Sequence, residues 1–181
     1  TAQALYAPDQ LRQRVAWALS QVYVIGFNGL DSYGDKNEIW HSYYDIFVRH
    51  AFGSLRDILR EVSYAPAMGV YLTYESSSSL AYSKNSWGKP SAPDENYARE
   101  IMQLFTIGLW ELEADGTQTL DGSGEPIQTY GSDEIESFAR AWTGFRKQGV
   151  RANIEVGSNL VDPMRIHPWR RDYFPKMDLH H

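Results

Sequence analysis

With 181 residues, 43% of them hydrophobic and 22% charged, the chain has ordinary globular usage and enough length for one domain with a substantial core, which argues against a disordered protein. Seventeen Lys and Arg against 23 Asp and Glu leave a formal charge of −6, and no basic run exceeds Arg170-Arg171, so charge counts against nucleic acid as a partner. The absence of cysteine removes disulfides, thiolate metal sites and cysteine nucleophiles together. No apolar run reaches the roughly 18 residues of a membrane-spanning helix.

In chain order, the first helix is expected from about Asp9 to Ile25, with Leu11, Val15, Ala18, Leu19, Val22 and Ile25 on one stripe. Gly26, Asn28 and Gly29 stop it. A second helix from about Glu38 to Phe52 puts Ile39, Tyr43, Ile46, Phe47 and His50 on its apolar face. Gly53 ends it, and Ser54 caps a third helix carrying Leu55, Ile58, Leu59 and Val62. Pro66 suits the first turn of a short fourth helix reaching Leu72.

Residues 75–93, rich in Ser with two prolines, read as a long loop, functional or inserted, in which Tyr82 and Trp87 fold back onto the body. A helix from Glu95 to Ile107 follows, capped by Asp94 and ended by Gly108. Asp115-Gly116 and Asp121-Gly122 are turn signals that make Leu109 to Tyr130 a β-hairpin or two short strands. Ser132 caps a sixth helix to about Phe145, with Ile135, Phe138, Ala139 and Trp142 inward. Residues 146–181 form an irregular tail in which Asn153 to Val156 is a possible strand and Pro163, Pro168 and Pro175 forbid a long helix. The expected fold is therefore mainly α: a single domain over 1–181 of about six helices with a small β-hairpin. Thr1 opens the chain without an initiator Met or a basic-then-apolar leader. The expectation is a fragment of a longer protein, with the remainder of that chain as one partner.

Several stretches carry a family resemblance. Pro93-Asp94-Glu95-Asn96-Tyr97-Ala98-Arg99-Glu100-Ile101-Met102-Gln103-Leu104-Phe105-Thr106-Ile107-Gly108 and Ala139-Arg140-Ala141-Trp142-Thr143-Gly144-Phe145 are the two main ones. Thr129-Tyr130 with Asp133-Glu134 lies between them. Upstream, Leu11 to Gln21, His50 to Gly53 and Pro66 to Met68 fit in the same order. Together they resemble the bacterial family catalogued as domain of unknown function 1800. Two positions depart from its pattern: Gln103 stands where Glu is commoner, and Phe145 where Trp is usual. The resemblance implies a helical fold and an exported protein, extracellular or periplasmic; it lends no activity.

The candidate chemistry centres on the first signature helix. Asn96, Arg99, Glu100 and Gln103 form a polar band beside the stripe of Tyr97, Ala98, Ile101, Leu104 and Phe105. Glu100 lies about 60° from Tyr97 at 100° per residue, so it borders the core and needs a partner. Arg140 is that partner by type, because its fork suits a carboxylate. One reading is an ion pair that locks two helices; the other is a general acid or base beside an anion-binding guanidinium. Glu100, Arg99, Arg140 and His50 are the catalytic candidates; Asn96, Gln103, Glu95 and Trp87 are the binding candidates. His50, on an apolar face, reads first as a hydrogen-bonded core residue. Asp115, Asp121, Ser123 and Glu125 lack an EF-hand order and read as turn formers. His167, His180 and His181 match no zinc spacing, so neither metal nor cofactor is expected. The heavy aromatic load (12 Tyr, 7 Phe and 6 Trp) reads as core and interface first, with sugar stacking as the alternative. Two functions remain open: a surface or matrix scaffold or binding module that contacts protein or glycan, and an extracytoplasmic hydrolase with a carboxylate/Arg site.

Overall fold

A computed structural model describes residues 6, 8–26, 30, 36–151, 158–177 and 179. Among them the chain is mainly α-helical, with seven α-helices, two short 3₁₀ turns and one two-stranded antiparallel sheet. It sorts into two compact units. Thr1–Glu75 and Phe145–Ile166 make the first; Ser76–Gly144 and His167–His181 make the second.

The first unit contains α1 (Gln10–Val22), α2 (Lys36–Arg49), α3 (Leu55–Tyr64) and α4 (Pro66–Tyr71), with β1 (Phe145–Arg146) paired to β2 (Arg165–Ile166). The apolar face expected for α2 is the buried one: Ile39, Tyr43, Ile46 and Phe47 are all at most 5% exposed. The stripe expected for α1 is rotated. Leu11 and Val22 face water, as does Trp17, while Ala16 and Tyr23 are buried. Arg12 causes the turn: its guanidinium donates to the Val48 carbonyl at 3.0 Å and covers the Phe52 ring, so its stem lies on the inner face. Tyr43 donates to the Tyr23 carbonyl at 2.7 Å, which fixes α1 on α2.

Ser54 caps α3 by accepting from the Asp57 amide at 3.2 Å, and Pro66 opens α4 in its first turn, both as expected. Behind them Tyr74 is fully buried, donates to the Ser63 carbonyl at 2.8 Å and meets Phe145 edge-on. Gly69 allows the close approach of Met164, whose Cε would lie 2.6 Å from any Cβ placed there. The expected strand Asn153 to Val156 falls outside the described residues; the strand pair instead uses both flanks of that stretch.

The second unit contains α5 (Leu80–Trp87), α6 (Asn96–Gln103) and α7 (Ser132–Ala139), with 3₁₀ turns at Arg140–Trp142 and Pro168–Arg170. The long loop expected over 75–93 is therefore half helix. Ser79 caps α5 by accepting from the Tyr82 amide at 3.2 Å, and Gly88 ends it in the left-handed region at φ 70°. The buried Ser83 hydroxyl also accepts from the Ser91 amide at 2.9 Å, so the returning chain is tied to the helix.

α6 stops four residues earlier than expected, at Gln103, and the Ile107 and Gly108 amides both close onto the Met102 carbonyl. Leu104 consequently leaves the helical rotation and is 62% exposed, whereas Phe105 stays buried. Residues 109–130 form the expected β-like excursion as three isolated antiparallel bridges, Trp110 with Gln128, Leu112 with Gln118, and Leu120 with Pro126. Its turns are made by Asp115 and Asp121: each Oδ1 accepts from backbone and hydroxyl groups at 2.7–3.0 Å. α7 starts one residue earlier than a Ser132 cap would place it. Gly131 is the cap, with its amide donating to Glu134 at 2.7 Å.

Tyr74→Phe should cost about 1 kcal/mol, since the buried Ser63 carbonyl loses its donor while ring packing survives. Tyr74→Ala should cost about 4 kcal/mol through the cavity it opens. Urea unfolding checks both; equal costs would show that the hydroxyl carries the whole effect.

Candidate functional site

The second unit builds its site around the end of α7. Ala139 is buried, the helix tightens to 3₁₀, and Arg140 projects to Asp172 with an Nη2 to Oδ1 distance of 2.9 Å. Asp172 also accepts from Lys176 at 3.3 Å and from the Phe174 amide at 3.0 Å. Its own amide donates to the Thr143 hydroxyl at 2.8 Å, and that hydroxyl donates to the Arg140 carbonyl at 2.8 Å. The ring of bonds closes on itself. Gly144 follows at φ 85°, where a Cβ would meet the His167 carbonyl oxygen at 3.0 Å. Arg140, Thr143 and Gly144 of the second signature are thus the residues that hold segment 167–177.

Burial pushes the Asp172 carboxyl up, but the bonds from Arg140 and Lys176, the Arg140 charge and the Phe174 amide more than offset it. The group stays below the usual aspartate range and is ionised at neutral pH.

This ring borders a cavity of about 720 Å³, within the size range of small-molecule sites. Arg140, Asp172, Glu95, Glu136, Lys84 and Arg171 supply its polar groups. Trp169, Tyr173 and Phe174 line it while each remains more than 60% exposed. Tyr82, also in the lining, carries the Arg170 guanidinium 4.6 Å from its ring centroid and meets Trp87 edge-on. Trp87 therefore supports the site through Tyr82, and α5 is the element that places both.

The expected polar band divides. α6 does pack on α7, and Tyr97 meets Trp142 of the 3₁₀ turn that follows, ring centroids 4.8 Å apart. Arg140, however, takes Asp172 and not Glu100 as its carboxylate. Arg99 pairs with Glu95 one turn earlier at 2.7 Å. Arg99 and Gln103 line a separate small pocket of about 220 Å³ with Tyr130. Burial raises the Tyr130 hydroxyl, Arg99 lowers it and Glu100 raises it, which places both charges near that ring. Glu100 is half-buried, as its position beside the stripe predicts, and Asn96 is exposed, its amide held by Asp94 at 2.9 Å.

His50 belongs to the first unit. Its Nε2 meets Glu61 Oε1 at 2.6 Å, Arg49 binds the other Glu61 oxygen, and Nδ1 lies against Gly53. Burial pushes Glu61 up, and the His50 and Arg49 bonds carry it below its ordinary value. Through the Glu61 contact His50 ties the end of α2 to α3, on the wall of a second cavity of about 720 Å³ within the first unit.

A family model described as "Protein of unknown function (DUF1800)" matches residues 1–177. The chain belongs to the DUF1800 family. No curated protein and no solved structure matches it. In this chain the first DUF1800 signature supplies Glu95 to the cavity and Tyr97 to the core, and the second clamps segment 167–177. Sequence reasoning missed Asp172 and the aromatic trio around it. The available signal was Trp169, Tyr173 and Phe174 clustered between Pro168 and Pro175, too many large apolar groups for a solvated tail. Among the described residues, no group of three or more His, Cys, Asp or Glu is placed to hold a metal. No helix there is long and apolar enough to cross a membrane.

Asp172→Asn should lower stability at pH 7 by about 3 kcal/mol, because Arg140 and Lys176 lose their shared anion. The folded-state shift is downward, so the carboxylate's contribution is complete above the unfolded value near pH 4 and fades as pH falls through the lower folded value. The gap between Asp172→Asn and the parent should therefore close in acid. Urea unfolding at both pH values, followed by tryptophan fluorescence, reads this directly; a gap independent of pH would remove the ion pair from the explanation.

Proposed function

We propose that this DUF1800 chain is the glycan-binding part of an exported, extracellular or periplasmic protein, with the cavity of the second unit as its site. The observation that carries the reading is the exposed trio Trp169, Tyr173 and Phe174 on a ligand-sized cavity that also presents charged hydrogen-bonding groups. A sugar ring has two apolar C–H faces and a rim of hydroxyls. Flat aromatic side chains suit the faces, and guanidinium and carboxylate groups suit the rim. Exposed aromatic groups of this size are costly in water unless something covers them. Location outside the cytoplasm rests on the resemblance to exported family members.

A second reading, the extracytoplasmic hydrolase with a carboxylate/Arg site, is favoured by one specific observation: Glu95 and Glu136 line the same cavity as Arg140. Glycoside hydrolysis needs such a pair, one acid protonated. Asp172 does not serve, because an ionised carboxylate with three donors already on it has no proton to give. Glu95 already has Arg99 on its carboxylate at 2.7 Å. Binding is therefore the leading reading, and catalysis would fall to Glu136.

Titration with cellotetraose, laminaritetraose and chitotetraose, read by tryptophan emission, should give saturable binding to at least one. Trp169→Ala should abolish it without lowering the thermal midpoint, since that ring is 63% exposed. The same mixtures, analysed for shortened sugars, should show none; product that disappears in Glu136→Gln would transfer the site to the hydrolase reading.

A further inference from the structure

The charged residues lining the cavity are three cations and three anions, and they differ in which of them have partners. Glu95 is answered by Arg99 at 2.7 Å, and Asp172 by both Arg140 and Lys176. Lys84 and Arg171 also line the cavity, and among the described residues neither has a carboxylate partner. Arg171 makes only a long 3.4 Å contact to the Thr143 carbonyl, and Arg170 beside it spends its guanidinium on the Tyr82 ring. Against these cations stands one acid without a partner, Glu136. The lining groups left without an ion-pair partner are thus two cations to one anion, in a chain whose net charge is −6.

From this we infer that the glycan bound at the cavity is acidic, with sugar rings bearing carboxylate or sulfate groups that pair with Lys84 and Arg171. The inference rests on the glycan reading above and adds the chemical class. A guanidinium takes either acid group in a two-pronged pair, and a lysine ammonium takes either as a point charge. Long-range attraction does not help, because the chain as a whole repels anions. Discrimination must come from short-range pairing at the cavity, within a Debye length of Lys84 and Arg171.

The probe pair is trigalacturonic acid and its methyl ester, which share the ring skeleton and differ in charge, with a sulfated trisaccharide as a third arm. The acid should bind about fivefold more tightly than the ester, the yield of one partly exposed ion pair. That preference should shrink as salt rises, while the ester's affinity stays level. Arg171→Gln with Lys84→Gln should bring acid and ester to the same affinity. Lys84→Gln alone, a change on an exposed side chain, should take part of the preference away and guards against a folding defect in the double variant. The sulfated arm decides between the two acid groups.

Equal binding of acid and ester in the parent chain would overturn the acidic class and leave the glycan reading standing. Absence of binding by all three sugars would overturn both. Tighter binding of a short oligothymidylate than of any sugar would also overturn it, by moving the ligand to the nucleic acids.

Discussion

The second unit depends on a buried carboxylate that cannot stay buried alone. Asp172 is 8% exposed, and an ion in that setting must gather partners or lose its charge. It gathers a guanidinium, an ammonium and a backbone amide, while its own amide is taken by Thr143. Segment 167–177 has only one short 3₁₀ turn, so this ring of bonds replaces the ladder a helix or strand would supply. Lys176 extends the grip by donating to the carbonyls of Asp172 and Phe174 at 2.7 Å each. The Met177 amide is received by the buried Ser137 hydroxyl at 2.7 Å. With the backbone and Asp172 turned inward, Trp169, Tyr173 and Phe174 are left facing out. Their exposure follows from where the ion is satisfied.

Much of this architecture was legible in the sequence wherever one signal dominated. The period-3.6 pattern of Ile39, Tyr43, Ile46 and Phe47, the Ser54 cap and Pro66 each name an element that is present. The sequence failed where a residue type points two ways. Ser-rich composition over 75–93 reads as loop, because serine competes with the backbone for hydrogen bonds. In the structure the same chemistry makes Ser79 a cap and Ser83 a bracket for the return of the chain. Arg12 reads as outward by charge, yet it is half-buried and its head finds a carbonyl. Hydrophobic periodicity alone then selects the wrong face of α1.

The site was legible as residue types and not as pairs. Arg140 needs a carboxylate and Glu100 needs a partner, and proximity of the two signatures in sequence suggests that they satisfy each other. Helix geometry decides otherwise. The chain tightens to 3₁₀ at Arg140, which ends the α-helical rotation that a pairing with Glu100 assumed, and the acid it reaches lies 32 residues further on. A long-range pairing of that kind leaves no periodic trace in one sequence. What did leave a trace was aromatic density between two prolines, which marks the segment as packed or functional without naming its anchor.

Stability and recognition divide the charges of this cavity between them. Groups that complete the fold are spent: Arg140, Asp172, Lys176, Glu95 and Arg99 have partners at hydrogen-bond distance, and disrupting any of them taxes the structure before it touches a ligand. A ligand can bind tightly only to groups that do not give up a protein partner to do so. Those are Lys84, Arg171 and Glu136 with the exposed rings. Recognition therefore belongs to the rim, and the signature residues belong to the frame that holds it open. This also explains why the most specific sequence matches mark positions next to the site, while the groups able to meet a ligand, Lys84, Glu136, Trp169 and Arg171, lie outside both main signatures.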